Sequence, residues 1–181
     1  MERSSIFTQV ILTIIFATGI LFAGVLPTTA QVEAPNTCMD PAFSSRFAPV
    51  SRQWNFEQID HFYSNNSAET APGYKEEQPL GYLINNADQV TVPLYRYYSA
   101  ALTDHFYSVS DEAPAGYANE GILGYVFVSH REGTVPIYRL YRHEMSPLNG
   151  DHLYTTSASE RDLAAQFGYV YEGIEGYVCP M

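Results

Sequence analysis

The sequence predicts an all-β fold made of three copies of one unit, and three observations carry that prediction. An Asp-His motif recurs three times, each copy follows a Pro-led stretch of strand-forming residues, and each is followed by two Gly-Tyr pairs. Asp60-His61-Phe62-Tyr63-Ser64 returns as Asp104-His105-Phe106-Tyr107-Ser108 and as Asp151-His152-Leu153-Tyr154-Thr155. Upstream stand Pro49-Val50-Ser51-Arg52-Gln53-Trp54, Pro93-Leu94-Tyr95-Arg96-Tyr97-Tyr98 and Pro136-Ile137-Tyr138-Arg139-Leu140-Tyr141. Gly73-Tyr74, Gly116-Tyr117 and Gly168-Tyr169 follow, and a second pair closes each copy at Gly81-Tyr82, Gly124-Tyr125 and Gly176-Tyr177. The units run over 49–92, 93–135 and 136–181.

Within a unit the Pro-led segment reads as the first strand, with Pro at the leading position where no ladder bond is needed. His-Phe-Tyr-Ser reads as a short second strand, entered through an Asp able to bond the turn backbone. Residues Tyr169 to Val178 read as two further strands folded about a Gly-containing turn, giving about four short strands per unit. One short helix is predicted, in the third unit only: Ser157 offers a cap, Glu160 to Phe167 the helical run, and Gly168 the stop. Such units suit a β-trefoil, with a three-bladed propeller as the alternative of equal strand count; propellers with so few blades are uncommon, which favours the trefoil.

Residues 1–30 read as a signal peptide, with an apolar run from Val10 to Leu26 and small residues at Thr28 and Ala30 suited to cleavage. The same run is long enough to remain as an anchor, the reading set against cleavage. Residues 31–48 form an N-terminal segment carrying Cys38, which export would allow to pair with Cys179. Asn65-Asn66-Ser67 is a glycosylation sequon. After cleavage 19 acidic and 8 basic residues remain, a net charge of -11 that repels nucleic acid and anionic lipid. The predicted protein is therefore secreted, with no nucleic-acid partner and no membrane contact once the signal is removed. With 23 aromatic residues among 151 it is built to fold rather than to stay disordered.

The motifs resemble the family named domain of unknown function 5648, whose repeats read approximately as Pro-Leu-Tyr-Arg-Leu-Tyr, Asp-His-Phe-Tyr-Thr-Thr and Gly-Tyr-Val-Tyr-Glu-Gly-Ile-Gly-Tyr. The third unit is the most similar, through Pro136 to Tyr141, Asp151 to Thr156 and Gly168 to Tyr177. Unit one departs from the pattern, with Ser51 for the first Tyr and Lys75 to Leu80 in place of Glu-Gly-Ile. The resemblance implies an exported protein, and because some similar chains are attached to wall-degrading hydrolases it implies an accessory binding role.

Phe62, Phe106 and Leu153 exchange one apolar type for another and are read as core. On an alternating strand His105 and Tyr107 then face outward, opposite Asp104 and Phe106. An exposed imidazole beside a phenol offers hydrogen bonds and a flat apolar face, as a sugar ring requires. The candidate ligand-binding residues are accordingly Tyr95, Asp104, His105, Tyr107 and Glu120 in unit two, with Tyr138, Asp151, His152, Tyr154 and Glu172 in unit three. The competing reading is that Asp caps a turn and His bonds backbone in every copy. Threefold symmetry could gather His61, His105 and His152 as zinc ligands, but no HxxxH or CxxC spacing supports a metal and none is assigned. Glu77, Glu120 and Glu172 occupy related places, whereas acid and base catalysis by two carboxylates needs two different environments. The sequence thus points to a non-enzymatic, lectin-like module for a glycan or cell-wall polymer, needing no cofactor. A secreted protease inhibitor or protein-interaction domain is the alternative, with the insertion from Glu144 to Gly150 as its candidate loop.

Overall fold

The computed structural model describes residues 37–143 and 150–181. The predicted signal peptide, residues 1–30, lies outside them, as does most of the insertion from Glu144 to Gly150. The fold is mostly β, ten strands in an antiparallel sheet. A nine-residue strand opens each repeat: β1 (Phe47–Asn55), then β5 (Thr91–Ser99) and β8 (Val135–His143). Each pairs along one edge with a short strand carrying the Asp-His motif, respectively β2 (Asp60–Ser64), β6 (Asp104–Ser108) and β9 (Gly150–Thr155). Along its other edge it pairs with the last strand of its repeat. In unit one that strand is split into β3 (Lys75–Glu76) and β4 (Gly81–Ile84); in the others it is continuous, as β7 (Ala118–Phe127) and β10 (Val170–Val178).

Units two and three therefore have three strands each, where the sequence suggests four. Tyr169 to Val178 does not fold back on itself. Gly173 and Gly176 adopt positive φ and make bulges in a single strand, visible as register shifts between Tyr171 and Gly173 and between Ile174 and Gly176. Gln78-Pro79 stands where unit one breaks, since Pro supplies no ladder donor. The turn between β1 and β2 is tied by Asn55, whose side-chain oxygen accepts from the Glu57 and Gln58 amides at 2.9 and 3.0 Å. The turn thus has its own cap, and Asp60 is left for another task.

Helix α2 (Ala158–Gln166) forms where predicted. Ser157 caps it by accepting from the Glu160 amide at 3.2 Å, and Gly168 at φ +91° ends it. Before β1 lie a 3-10 turn (Thr37–Met39) and the short helix α1 (Pro41–Ser44).

The main core draws on every repeat: Val50, Leu83, Leu94, Val126, Ile137 and Val178 are all buried in one cluster. The last strands also meet one another, through Ile84 with Tyr125, Phe127 with Tyr177, and Tyr82 with Cys179. Glycine is required at these meetings: a Cβ on Gly176 would stand 2.6 Å from Val126 Cγ2, and one on Gly81 would stand 2.8 Å from the Cys179 carbonyl oxygen. Cys38 and Cys179 form a disulfide beside this junction, packed with Ile84, Phe127 and Phe43.

Candidate functional site

The short strands β2, β6 and β9 carry the repeated polar residues, and all three are covered on both faces. Asp104 and Asp151 are fully buried, Tyr107 and Tyr154 are 1 % exposed, and His105 and His152 are 9 % and 7 % exposed. This corrects the predicted orientation. Alternation separates an inward from an outward face only on a strand with one solvated side, and these strands have none. Asp104, His105, Tyr107, Asp151, His152 and Tyr154 therefore do not form the outward face that the sequence reading gave them.

What they build is a closed ring of contacts between repeats. The His105 ring donates through Nδ1 to Asp60 at 2.6 Å, His152 to Asp104 at 2.7 Å, and His61 to Asp151 at 2.9 Å. The same aspartates accept the backbone N–H of those histidines at 2.9 to 3.0 Å. Each carboxylate also accepts the phenol of its own repeat, from Tyr74, Tyr117 and Tyr169. A second ring lies alongside: the Tyr107 hydroxyl accepts the Tyr63 amide at 2.8 Å and donates to the Tyr63 carbonyl at 3.0 Å. Tyr154 does the same for Tyr107, and Tyr63 for Tyr154. The three phenol rings meet edge to face with centroids 5.3 to 5.5 Å apart.

The three histidines, considered above and not assigned as zinc ligands, are not the residues brought together. Among the described residues it is Asp60, Asp104 and Asp151 whose oxygens come within 4.8 Å of one another. Their acceptor capacity is already used by histidine and tyrosine. Burial raises the Asp60 carboxyl despite the hydrogen bonds from His105 and Tyr74. Burial by itself would depress His61, but the charge of Asp151 and the bonds to Asp151 and Glu77 outweigh it and lift the imidazole to about 9.

A pH dependence follows. The folded-state pKa of His61 lies above the ordinary value of about 6.5, so the stability it contributes is complete below pH 6.5 and is lost as pH rises through about 9. The loss expected is roughly 3 kcal/mol, read as a lower urea midpoint at pH 9.5 than at pH 6. An NMR titration of the His61 ring with its midpoint at or below pH 6.5 would contradict this.

Of the repeated arginines, which the sequence reading did not single out, Arg52 and Arg96 pair with carboxylates across a seam between repeats, while Arg139 pairs within its own repeat and crosses its seam only over the Phe106 ring. Arg52 holds Glu77 of its own repeat at 2.9 Å and reaches Glu160 of unit three at 2.9 Å. Arg96 likewise holds Glu120 at 3.0 Å and Glu69 of unit one at 2.9 Å. Arg139 holds Glu172 at 2.8 Å and also Glu175. Glu120 and Glu172, sequence candidates for ligand contact, thus already have partners, as does Glu77. The hydrogen bond from His61, with the charge of Arg52, holds Glu77 below the usual carboxylate range despite its partial burial. Tyr95 and Tyr138 are half-buried, Tyr95 beside Tyr97 and Tyr138 beneath the Arg161 guanidinium at 4.5 Å. Asn65 is exposed, and its side-chain amide donates to the Leu123 carbonyl at 2.5 Å.

The aromatic residue ending each Pro-led motif stacks on the imidazole of its own repeat. Trp54 lies on His61 at 4.4 Å, Tyr98 on His105 at 4.6 Å, and Tyr141 on His152 at 4.4 Å. These rings are half-buried, so part of each remains at the surface. Sequence reasoning missed them because stacking across a hairpin depends on register: Trp54 is paired with His61, Tyr98 with His105 and Tyr141 with His152.

These features define a mostly-β protein whose repeated Asp, His and Tyr residues bond between repeats at its centre. The chain belongs to the family described as domain of unknown function DUF5648, whose model matches residues 49–179. No curated protein and no solved structure matches the chain.

Proposed function

We propose that this is an exported, non-enzymatic module that binds a glycan or wall polymer through the aromatic rings left at its surface. The observation that carries the reading is the repeated surface ring, Trp54, Tyr98 or Tyr141, held against an imidazole at a tilt of 32 to 39° beside an Arg-Glu pair. A rigid aromatic face with fixed hydrogen-bonding groups next to it suits a sugar ring. Export is supported by the disulfide, which oxidising compartments favour. The non-enzymatic reading is supported by the like environments of Glu77, Glu120 and Glu172, each beside an Arg and a His.

The architecture that goes with this reading is three pseudo-symmetric units about one axis. A trefoil barrel is made where strands of adjoining units pair along their length. Here the long pairings lie within units, β1 with β4, β5 with β7 and β8 with β10, which supports the blade-like alternative over the trefoil.

The test is binding by the exported protein to a panel of neutral wall polysaccharides, with a protease panel run on the same sample. Retention on at least one polysaccharide, little changed by moderate salt, is the expected result, since the contacts are not ionic. Protease inhibition without any retention would replace this reading with the inhibitor one.

A further inference from the structure

We infer that the working site is the seam between units one and three, and that it takes a linear, neutral polysaccharide lying along β1; this rests on the glycan-binding reading above. Three cavities adjoin one another along β1 and the turn after it, the first within unit one and the other two at this seam. One of 350 Å³ lies between Trp54, Phe56, Gly73 and Lys75. The next, of 290 Å³, lies between Trp54, Arg52, Leu153, Leu163 and Phe167. The third, of 160 Å³, lies between Arg52, Gln78, Thr156 and Ser157. Trp54 is a wall of the first two and Arg52 of the last two, so the three are consecutive. Arg52 and Trp54 are alternate residues of β1, about 6.6 Å apart along it, and Phe56 stands in the turn that follows. Consecutive cavities accommodate a chain ligand better than a single ring.

The cavity at this seam has a cause in the sequence. At the other two seams a phenylalanine fills the space: Phe62 packs edge-on to His105 under Arg96, and Phe106 packs edge-on to His152 under Arg139, each guanidinium 5.0 Å from the ring. At the third seam the repeat supplies Leu153, which is smaller and offers no ring. Helix α2, present in unit three alone, then walls the space with Leu163 and Phe167, 52 % and 65 % exposed. Phe56 is 83 % exposed at the opposite end. Large apolar side chains left open around an aromatic-walled cavity are what a ligand with flat apolar faces would cover.

Charge sets the class of ligand. Arg52 is satisfied by two carboxylates, so an anionic sugar would have to displace Glu77 or Glu160 and approach a chain of net charge -11. A neutral sugar leaves those pairs intact, and its hydroxyls find acceptors in the carboxylates and further polar groups in Gln78, Thr156 and Ser157.

The test is isothermal titration of the disulfide-bonded protein with neutral oligosaccharides of two, four and six rings, cello-, xylo- and chito-series. The affinity should rise between two and four rings. Trp54→Ala should lower it at least tenfold, and Leu153→Phe, which restores the residue of the other repeats, should do the same without lowering the melting temperature. Should Leu153→Phe fail to fold, Phe56→Ala and Phe167→Ala, both at exposed positions, should each weaken binding severalfold. Binding unchanged in Trp54→Ala and in the exposed-position variants overturns the seam and leaves the glycan reading standing. A wild-type protein that binds none of the three series overturns both.

Discussion

Tyr107→Phe should destabilise the protein by about 4 kcal/mol, although it removes a single oxygen atom. That oxygen accepts the Tyr63 amide and donates to the Tyr63 carbonyl, and both backbone groups lie on the edge of β2 turned away from β1. Tyr63 is 1 % exposed, so water does not replace the lost partner. An orphaned buried donor and an orphaned buried acceptor cost about 1 to 3 kcal/mol each, and the retained phenyl ring prevents relaxation into the gap. Tyr97→Phe provides the comparison, because its hydroxyl donates only to the Ser110 carbonyl, in an exposed loop. Its cost should stay near 1 kcal/mol. Urea unfolding of both variants decides the matter: equal losses would mean that the ring of tyrosines does not hold the repeats together.

The same ring shows what the sequence could and could not reveal. A mostly β fold, the third-unit helix with its Ser157 cap and the pairing of Cys38 with Cys179 were legible, because each rests on local pattern or on the compartment the sequence leads one to expect. The six positions proposed for binding that proved buried were misread for one physical reason. A five-residue strand shows its period of two only if one face meets water, and Asp104–Ser108 is covered on both. Asp104 in isolation resembles a turn cap, and only the return of His152 from 48 residues away makes it an inter-repeat acceptor. Arg52, Arg96 and Arg139 recur at one place in the Pro-led motif, a signal that could have marked them as seam residues. The seam cavity was legible only in retrospect, since the exchange of Phe for Leu153 gains meaning once the partner face, Trp54 with α2, is known.

Removing the Cys38–Cys179 disulfide by the double change Cys38→Ser, Cys179→Ser should cost about 5 kcal/mol, close to the whole stability of many domains. The bridge spans 141 residues, so it ties nearly all of the folded chain into one loop and restrains the unfolded ensemble over its full length. Its site in the fold gives a second reason for a large effect. Cys179 is 3 % exposed, and its carbonyl accepts the Tyr82 amide at 2.9 Å, so the last residues of unit three are pinned against unit one. Without the bridge the 3-10 turn and α1 keep the Thr37 amide bond to the Glu132 carbonyl at 3.0 Å and the packing of Phe43 against the cluster around Ile84 and Phe127. The effect on the unfolded state should appear as a steeper dependence of stability on urea, since a linear chain exposes more surface than a looped one. The effect on the native state should be local, with NMR shifts changed around the bridge, at Phe127 and Gly133, and unchanged in β6. A loss below about 1 kcal/mol with an unchanged urea slope would show that the unfolded chain keeps its ends together without the bond, and that closure of the three repeats does not depend on it.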